Sequence, residues 1–368
     1  MTDVHFIIGA TGWVGGALAA RLLCETPDEL CCAVRDPDLV VGRARLYEHL
    51  AGAARSLGLV LPSDSLDRVR AVSWHAIAAG DELAPASRHV WHAAGLMEQR
   101  EELEEEVMAA NVDSVRRGCA IAKEAGARWF NLVGDAGVAA GLSGTIWEQP
   151  VRTAPPTGWL YQQSKLEAEH AVASASTGFG VRIFRCCVLI DTGHLTAAPT
   201  QRGTEGLEGL MSELGHLTKL MANQHLGSFL RYRALNLRVS PEAALDVLPI
   251  ATATAAMVAI ARTQVAGVFH VANQTAPNAL NLLSDVFGAA GLRPPRLVAD
   301  ERAFTTLDRY LDTAWRRYGA YWRQPRQFDQ TNVTTALGAP IQYQLDSARL
   351  ARLIAARTIH CKPMEQVL

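Results

Sequence analysis

No run of apolar residues in this chain reaches the roughly 20 needed to cross a bilayer. The 35 lysines and arginines nearly match the 37 aspartates and glutamates, for a formal net charge of -2. Without a basic excess there is no electrostatic reason to expect nucleic acid or an anionic membrane as partner. The seven cysteines, Cys24, Cys31, Cys32, Cys119, Cys186, Cys187 and Cys361, are an odd number without metal-ligand spacing. They lie mostly inside apolar runs and read as small buried side chains in a reducing compartment. There is no internal repeat and no low-complexity linker. The first residues read as a core strand, not a cleavable leader, so the cytoplasm is the expected location. What remains is 368 residues, 49% hydrophobic and 20% charged, with the composition and length of a globular protein.

Val4 to Gly16, VHFIIGATGWVGG, is the stretch around which the rest is arranged. An apolar strand breaks at Gly9, and a helix containing Ala17 to Leu23 follows. Each glycine answers a separate demand of a dinucleotide site. Gly9 permits the tight exit from the strand, Gly12 lets backbone approach a pyrophosphate, and Gly15 lets the helix pack closely on the sheet. The amides of the helix start, from Thr11 through Trp13 and Val14, are then available to phosphate oxygens.

The second strand, LCCAVRDPD, ends at Arg35, where an NAD site would usually carry an acidic residue for the ribose hydroxyls. An arginine suits the additional phosphate of NADP. Arg43 and Arg45, at the start of the helical GRARLYEHLAGAARSL, are either further phosphate contacts or solvated helix arginines. RVRAV (68–72) and HVWHAAG (89–95) are the next strands, and Ala93, Ala94 and Gly95 leave room for a cofactor at the second one's carboxyl end. EELEEEVMAANVDSVRRGCAIAKEAG reads as one long helix. Asn111 lies within it despite poor helix propensity, which points to a role for its side chain.

RWFNLVGDAGVAAG (128–141) reads as the fifth strand and a glycine-rich loop, followed by the helix WLYQQSKLEAEHAVASA. Tyr161 and Lys165 stand one turn apart on that helix and share a face. An ammonium near a phenol stabilises phenolate and equips the hydroxyl to pass a proton to or from a carbonyl oxygen. VRIFRCCVLIDTG (181–193) reads as a sixth strand, VLPIATATAAMVAIA as a further strand-like piece, and GVFHVANQ as a return to the sheet.

These motifs identify a family. The chain resembles the extended short-chain dehydrogenase/reductases, and within them the thioester-reductase and fatty-acyl-CoA-reductase branch. The superfamily pattern lies in GATGWVG, HAAG (92–95), AANVDSV and YQQSK; the branch pattern lies in CAVRDPD followed by GRARL, IFRCCVLIDTG, VLPIATATAAMVAIA, FHVANQ and FDQTNVTTALG. The resemblance implies an α/β fold, a Rossmann doubly wound parallel sheet with a smaller, mainly helical substrate lobe. Residues 1–193, with a return near 245–275, form the NADP-binding domain, and 194–244 with 276–368 form the lobe. It further implies NADPH-dependent reduction of a carbonyl or acyl thioester in biosynthesis, with Tyr161 as proton donor, Lys165 orienting the nicotinamide ribose, and Asn111 holding a water. A carrier-bound substrate would bring an acyl carrier protein, with Arg231, Arg233 and Arg238 meeting phosphopantetheine or the acidic carrier, unless they are plain surface arginines.

Two residues depart from the family. Where it has a serine or threonine at the end of the fifth strand, this chain has Val133, Gly134, Asp135 and Ala136. Asp135 serves as the substitute only if it is kept protonated, since a carboxylate repels an oxyanion; otherwise it is a solvent-facing loop residue and Ser143 or Thr145 stands in. Cys186 replaces a proline common in the branch. Other readings open at this point are an NAD(P)-dependent epimerase or dehydratase, a non-redox biosynthetic enzyme on the same fold, and a non-catalytic NADP-binding protein.

Overall fold

The computed structural model describes residues 2–82, 84–98, 100–152, 159–190, 214–215, 217–219, 221, 223, 232–313 and 323–346. Most of the expected lobe segment 194–244 therefore lies outside the described residues.

Seven parallel strands form the central sheet: β1 (Val4–Ile8), β2 (Glu29–Val34), β3 (Val69–Ser73), β4 (His89–His92), β5 (Trp129–Asp135), β7 (Gly180–Cys186) and β11 (Gly267–Val271). Short strands lie outside it: β6 (Gly144–Ile146), β8 (Val188–Ile190), β9 (Asn236–Leu237), β10 (Val247–Pro249), β12 (Arg296–Leu297) and β13 (Arg326–Phe328). In space the sheet runs β11-β7-β5-β4-β1-β2-β3. The chain adds β2 and β3 outward from β1, then crosses back to lay β4 on its other side. This reversal opens a crevice at the carboxyl ends of β1 and β4, where open α/β sheets bind ligands.

The strands are apolar almost without interruption because helices cover both faces. Ile7, Trp91, Phe184 and Phe269 point to one face and join Leu18, Leu22, Leu46, Leu50 and Met257 in one core cluster. Their neighbours Phe6, Ile8, Val90, Phe130 and Ile183 point to the other face and meet Val115, Ile121 and Val172. The rings of Trp91, Phe184 and Phe269 stack across three strands at centroid spacings of 5.7 and 5.6 Å. A further apolar cluster joins Leu217, Leu237, Leu245, Leu282, Val286, Phe287 and Leu311.

The described helices are α1 (Trp13–Glu25), α2 (Leu39–Ser56), α3 (Trp74–Ala79), α4 (Glu104–Met108), α5 (Ser114–Glu124), α6 (Leu160–Ala175), α7 (Ile250–Ala261), α8 (Ala279–Ala289) and α9 (Thr331–Leu337). The helix after β1 starts at Trp13, with Gly15 and Gly16 in its first turn. Three expectations are corrected. VLPIATATAAMVAIA is a three-residue strand followed by α7, which is apolar on nearly every side because it is buried against α1 and α9; it therefore lacks the one-sided stripe that marks a surface helix. The expected long helix is α4 and α5 joined through a π turn at Ala109–Asp113, with Asn111 at its centre. VRIFRCCVLIDTG likewise divides, β8 leaving the main sheet to pair with β10.

Candidate active site

The glycine cradle has the tightness that its composition requires. Gly9 has φ +96°, and a Cβ there would lie 2.5 Å from the Ala94 amide nitrogen. A Cβ on Gly15 would lie 2.1 Å from the Gly9 carbonyl oxygen, so no larger residue lets α1 approach β1 this closely. Gly12 caps α1 without a side-chain hydrogen bond. The amides of the first turn, through Trp13 and Val14, thus meet no side-chain cap, which suits a pyrophosphate. Thr11 and Val14 are half-buried and Trp13 is exposed at the rim. His49, which the sequence reading passed over, reaches in from α2 and contacts the Gly12 carbonyl at 3.1 Å.

At the end of β2, Arg35 is exposed. Arg45 does not stand free beside it, because its guanidinium is paired with Asp36 at 2.7 Å. Asp36 was not singled out from the sequence although it follows Arg35 directly; its carboxylate also accepts the Asp38 amide at 3.1 Å. Arg43 is exposed on α2.

Tyr161 and Lys165 lie on the first turns of α6, both buried, with the Lys165 ammonium 5.6 Å from the centre of the Tyr161 ring. Desolvation lowers the Lys165 pKa, opposed by the charges of Asp135 and Glu169. Gly95 gives the ammonium room: a Cβ there would lie 3.0 Å from Nζ. Ala93 and Ala94 are half-buried in the crevice beside it.

Asp135 ends β5 against this pair. The Gly137 amide donates to its Oδ1 at 2.5 Å, capping the short 3-10 turn Ala136–Ala139, and Tyr161 Oη donates to its Oδ2 at 3.2 Å. Gly137 leaves room for that cap, since a Cβ on it would sit 2.5 Å from Oδ1 and displace the carboxyl. Burial raises the Asp135 pKa, and the Gly137 amide and the Lys165 charge oppose the rise. Asp135 therefore lies in contact with Tyr161, whereas Ser143 and Thr145 are exposed on and beside β6. Cys186 is the register partner of Asp135 across β5 and β7, and its thiol is pushed up to about 12 by burial and the neighbouring carboxyl.

Asn111 is buried, and its amide is largely committed. Its Oδ1 accepts the Leu96 amide at 2.7 Å, and its Nδ2 donates to the Leu96 carbonyl at 2.9 Å and to Ser164 Oγ at 2.8 Å. Arg238 is paired with Asp312 at 2.7 Å, and Arg233 lies 3.7 Å from the buried Asp308. Those two charges are thus met by carboxylates of residues 308 and 312, and Arg231 lies outside the described residues.

Against known proteins, residues 76–250 match the model of the male sterility protein family of NAD-binding domains. No curated protein matches the chain by sequence. Among solved structures, the terminal R domain from the myxalamid PKS-NRPS biosynthetic pathway is 18% identical over 96% of this chain and 90% of its own, with TM-score 0.67. The aureusimine biosynthetic cluster reductase domain is 16% identical over 98% and 92%, with TM-score 0.71. UDP-glucuronic acid 4-epimerase from Bacillus cereus, in complex with NAD, is 13% identical over 97% and 96%, with TM-score 0.60. These structures share the fold. The match over residues 76–250 agrees with the resemblance to a male sterility type of NAD-binding domain, and the solved structures agree with the doubly wound fold expected from the sequence.

Proposed function

We propose that the protein is an NADPH-dependent reductase of a carbonyl or acyl thioester, acting in a biosynthetic pathway in the cytoplasm on a small-molecule or carrier-bound acyl group. The observation that carries this reading is the joining of Tyr161, Lys165 and Asp135 beside a glycine cradle built to the tolerance of one methyl group. Gly9, Thr11, Gly12, Trp13, Val14 and Gly15 would hold the pyrophosphate, and Arg35 the 2'-phosphate. When bound there, the cofactor would supply the hydride for reduction. Tyr161 supplies the proton to the carbonyl oxygen, and the Lys165 cation stabilises the phenolate left behind.

The Asp135 carboxyl enters through the tyrosine. As a carboxylate it accepts the Tyr161 proton; protonated, its Oδ2–H donates to Tyr161 Oη and frees the phenolic proton for the substrate. Desolvation favours the second state. A division of the chain into residues 1–193 with 245–275 as nucleotide domain and 194–244 with 276–368 as substrate lobe belongs to the same reading. Two fold matches at TM-scores 0.67 and 0.71 are named as reductase or R domains, which supports reduction over epimerisation.

The test is cofactor consumption with a medium-chain acyl-CoA and with the corresponding aldehyde, followed by absorbance of NADPH. Oxidation dependent on either compound is expected. Cofactor binding with no turnover of thioester, aldehyde or ketone would overturn the reading in favour of a binding protein.

A further inference from the structure

The π turn at Ala109–Asp113 has a side-chain support of its own. In an α-helix the Ala110 carbonyl would accept the Ser114 amide. Here that amide donates instead to the Ala109 carbonyl, five residues back. The Ser114 side chain reaches the carbonyl that its amide has left, Oγ donating to the Ala110 carbonyl at 2.5 Å. A hydroxyl has one proton, so the contact between Ser114 Oγ and His92 Nε2, at 2.9 Å, runs from the ring N–H to the oxygen.

His92 suits that role. It is 1% exposed, its Nδ1 has no hydrogen-bond partner among the described residues, and burial together with the Lys165 charge holds its pKa down to about 3. The ring is therefore neutral, with its proton on the nitrogen facing the serine. Gly118 on α5 leaves space for the ring, as a Cβ there would come within 3.3 Å of His92 Cδ2. The turn in turn aims Asn111 at Leu96 and at Ser164 Oγ, and Ser164 passes the chain to the Tyr161 carbonyl at 2.8 Å. An unbroken line of hydrogen bonds and backbone thus runs from the end of β4 to the turn of α6 that bears Tyr161 and Lys165.

We infer that His92 and Ser114 are positioning residues: their hydrogen bonds hold the π turn that places Asn111 between the loop after β4 and the catalytic turn of α6. The consequence for rate rests on the reductase reading; the consequence for geometry does not.

The experiment compares Ser114→Ala, Ser114→Thr and His92→Phe with the parent protein. The readouts are kcat and KM in NADPH oxidation with the medium-chain acyl-CoA, NADPH affinity by titration, and hydrogen exchange at the Leu96 amide. Ser114→Ala and His92→Phe are expected to lower kcat by on the order of ten- to a hundred-fold, as for a misplaced catalytic group, with NADPH affinity little changed and faster Leu96 exchange. Ser114→Thr, which keeps the hydroxyl, restores both kcat and protection. Unchanged kcat and unchanged Leu96 exchange in Ser114→Ala would overturn the inference, as would equal losses in Ser114→Ala and Ser114→Thr. If His92→Phe fails to fold, the two serine variants carry the test. If the parent turns over neither thioester nor aldehyde, the reductase reading fails and Leu96 exchange alone decides the positioning role.

Discussion

At the scale of single residues, the proposed reduction turns on Asp135 and the proposed cofactor choice on Arg35. If the protonated Asp135 carboxyl is what frees the Tyr161 proton, activity falls as pH rises through its elevated pKa. Asp135→Asn presents a neutral amide that does not titrate; it is expected to stay active and to lose that falling limb in a pH-rate profile. Asp135→Ala leaves the phenol without a partner and loses on the order of ten- to a thousand-fold in kcat. A normal rate in the alanine variant would remove the residue from the mechanism. Arg35→Ala is expected to weaken NADPH binding about ten- to a hundred-fold and to leave NADH binding unchanged, since it removes charge-assisted hydrogen bonds to a 2'-phosphate; titration of both cofactors measures this. Tighter binding of NADH by the parent protein contradicts the NADP assignment. Tyr161 and Lys165 were legible because their spacing alone puts them on one helix face. The contacts of Asp135 with Tyr161 and of Arg45 with Asp36 were not, because strand end, helix and loop meet only in the folded chain.

At the scale of elements, glycine shows how far pattern reaches. Gly15→Ala is expected to cost more than tenfold in cofactor affinity and to lower the melting temperature, because its methyl would meet the Gly9 carbonyl oxygen at 2.1 Å. Gly52→Ala, inside α2 with its nearest neighbour 3.9 Å away, should instead stabilise by about 0.5–1 kcal/mol with binding unchanged. Calorimetry and titration of the two variants separate the cases. The parallel strands could be read as apolar runs and α6 from its good helix formers. α7 could not be read correctly, since a helix buried on all sides has no period to reveal it. Nor could the π turn, which shifts one hydrogen bond by one residue and leaves no mark on the pattern beyond an asparagine of poor helix propensity.

At the scale of the whole molecule, buried carboxyls tie distant segments to the sheet. Glu148 accepts the His270 amide at 2.7 Å and the Val333 amide at 3.2 Å, as well as the Asn332 amide, joining the segment after β6 to β11 and α9. Burial raises its pKa from 4.5 to about 7. Between those values the native state keeps a proton that the unfolded chain releases, so this group's contribution to stability falls as pH rises through the window. Glu148→Gln should therefore gain in stability on the parent as pH rises from 4.5 to 7 in denaturant unfolding, and a constant difference would refute the shift. No described helix is long and apolar enough to cross a membrane.

The central claim is net reduction of a substrate by hydride from the cofactor, completed by the Tyr161 proton. Its most direct test supplies NADPH deuterated at the transferring position of the nicotinamide, with a medium-chain acyl-CoA or the corresponding aldehyde, and examines the product by mass spectrometry. One deuterium on the former carbonyl carbon is expected for each hydride transferred, with no labelled product from Tyr161→Phe although that variant still binds NADPH. Product without deuterium, or labelled product formed at the parent rate by Tyr161→Phe, would contradict it.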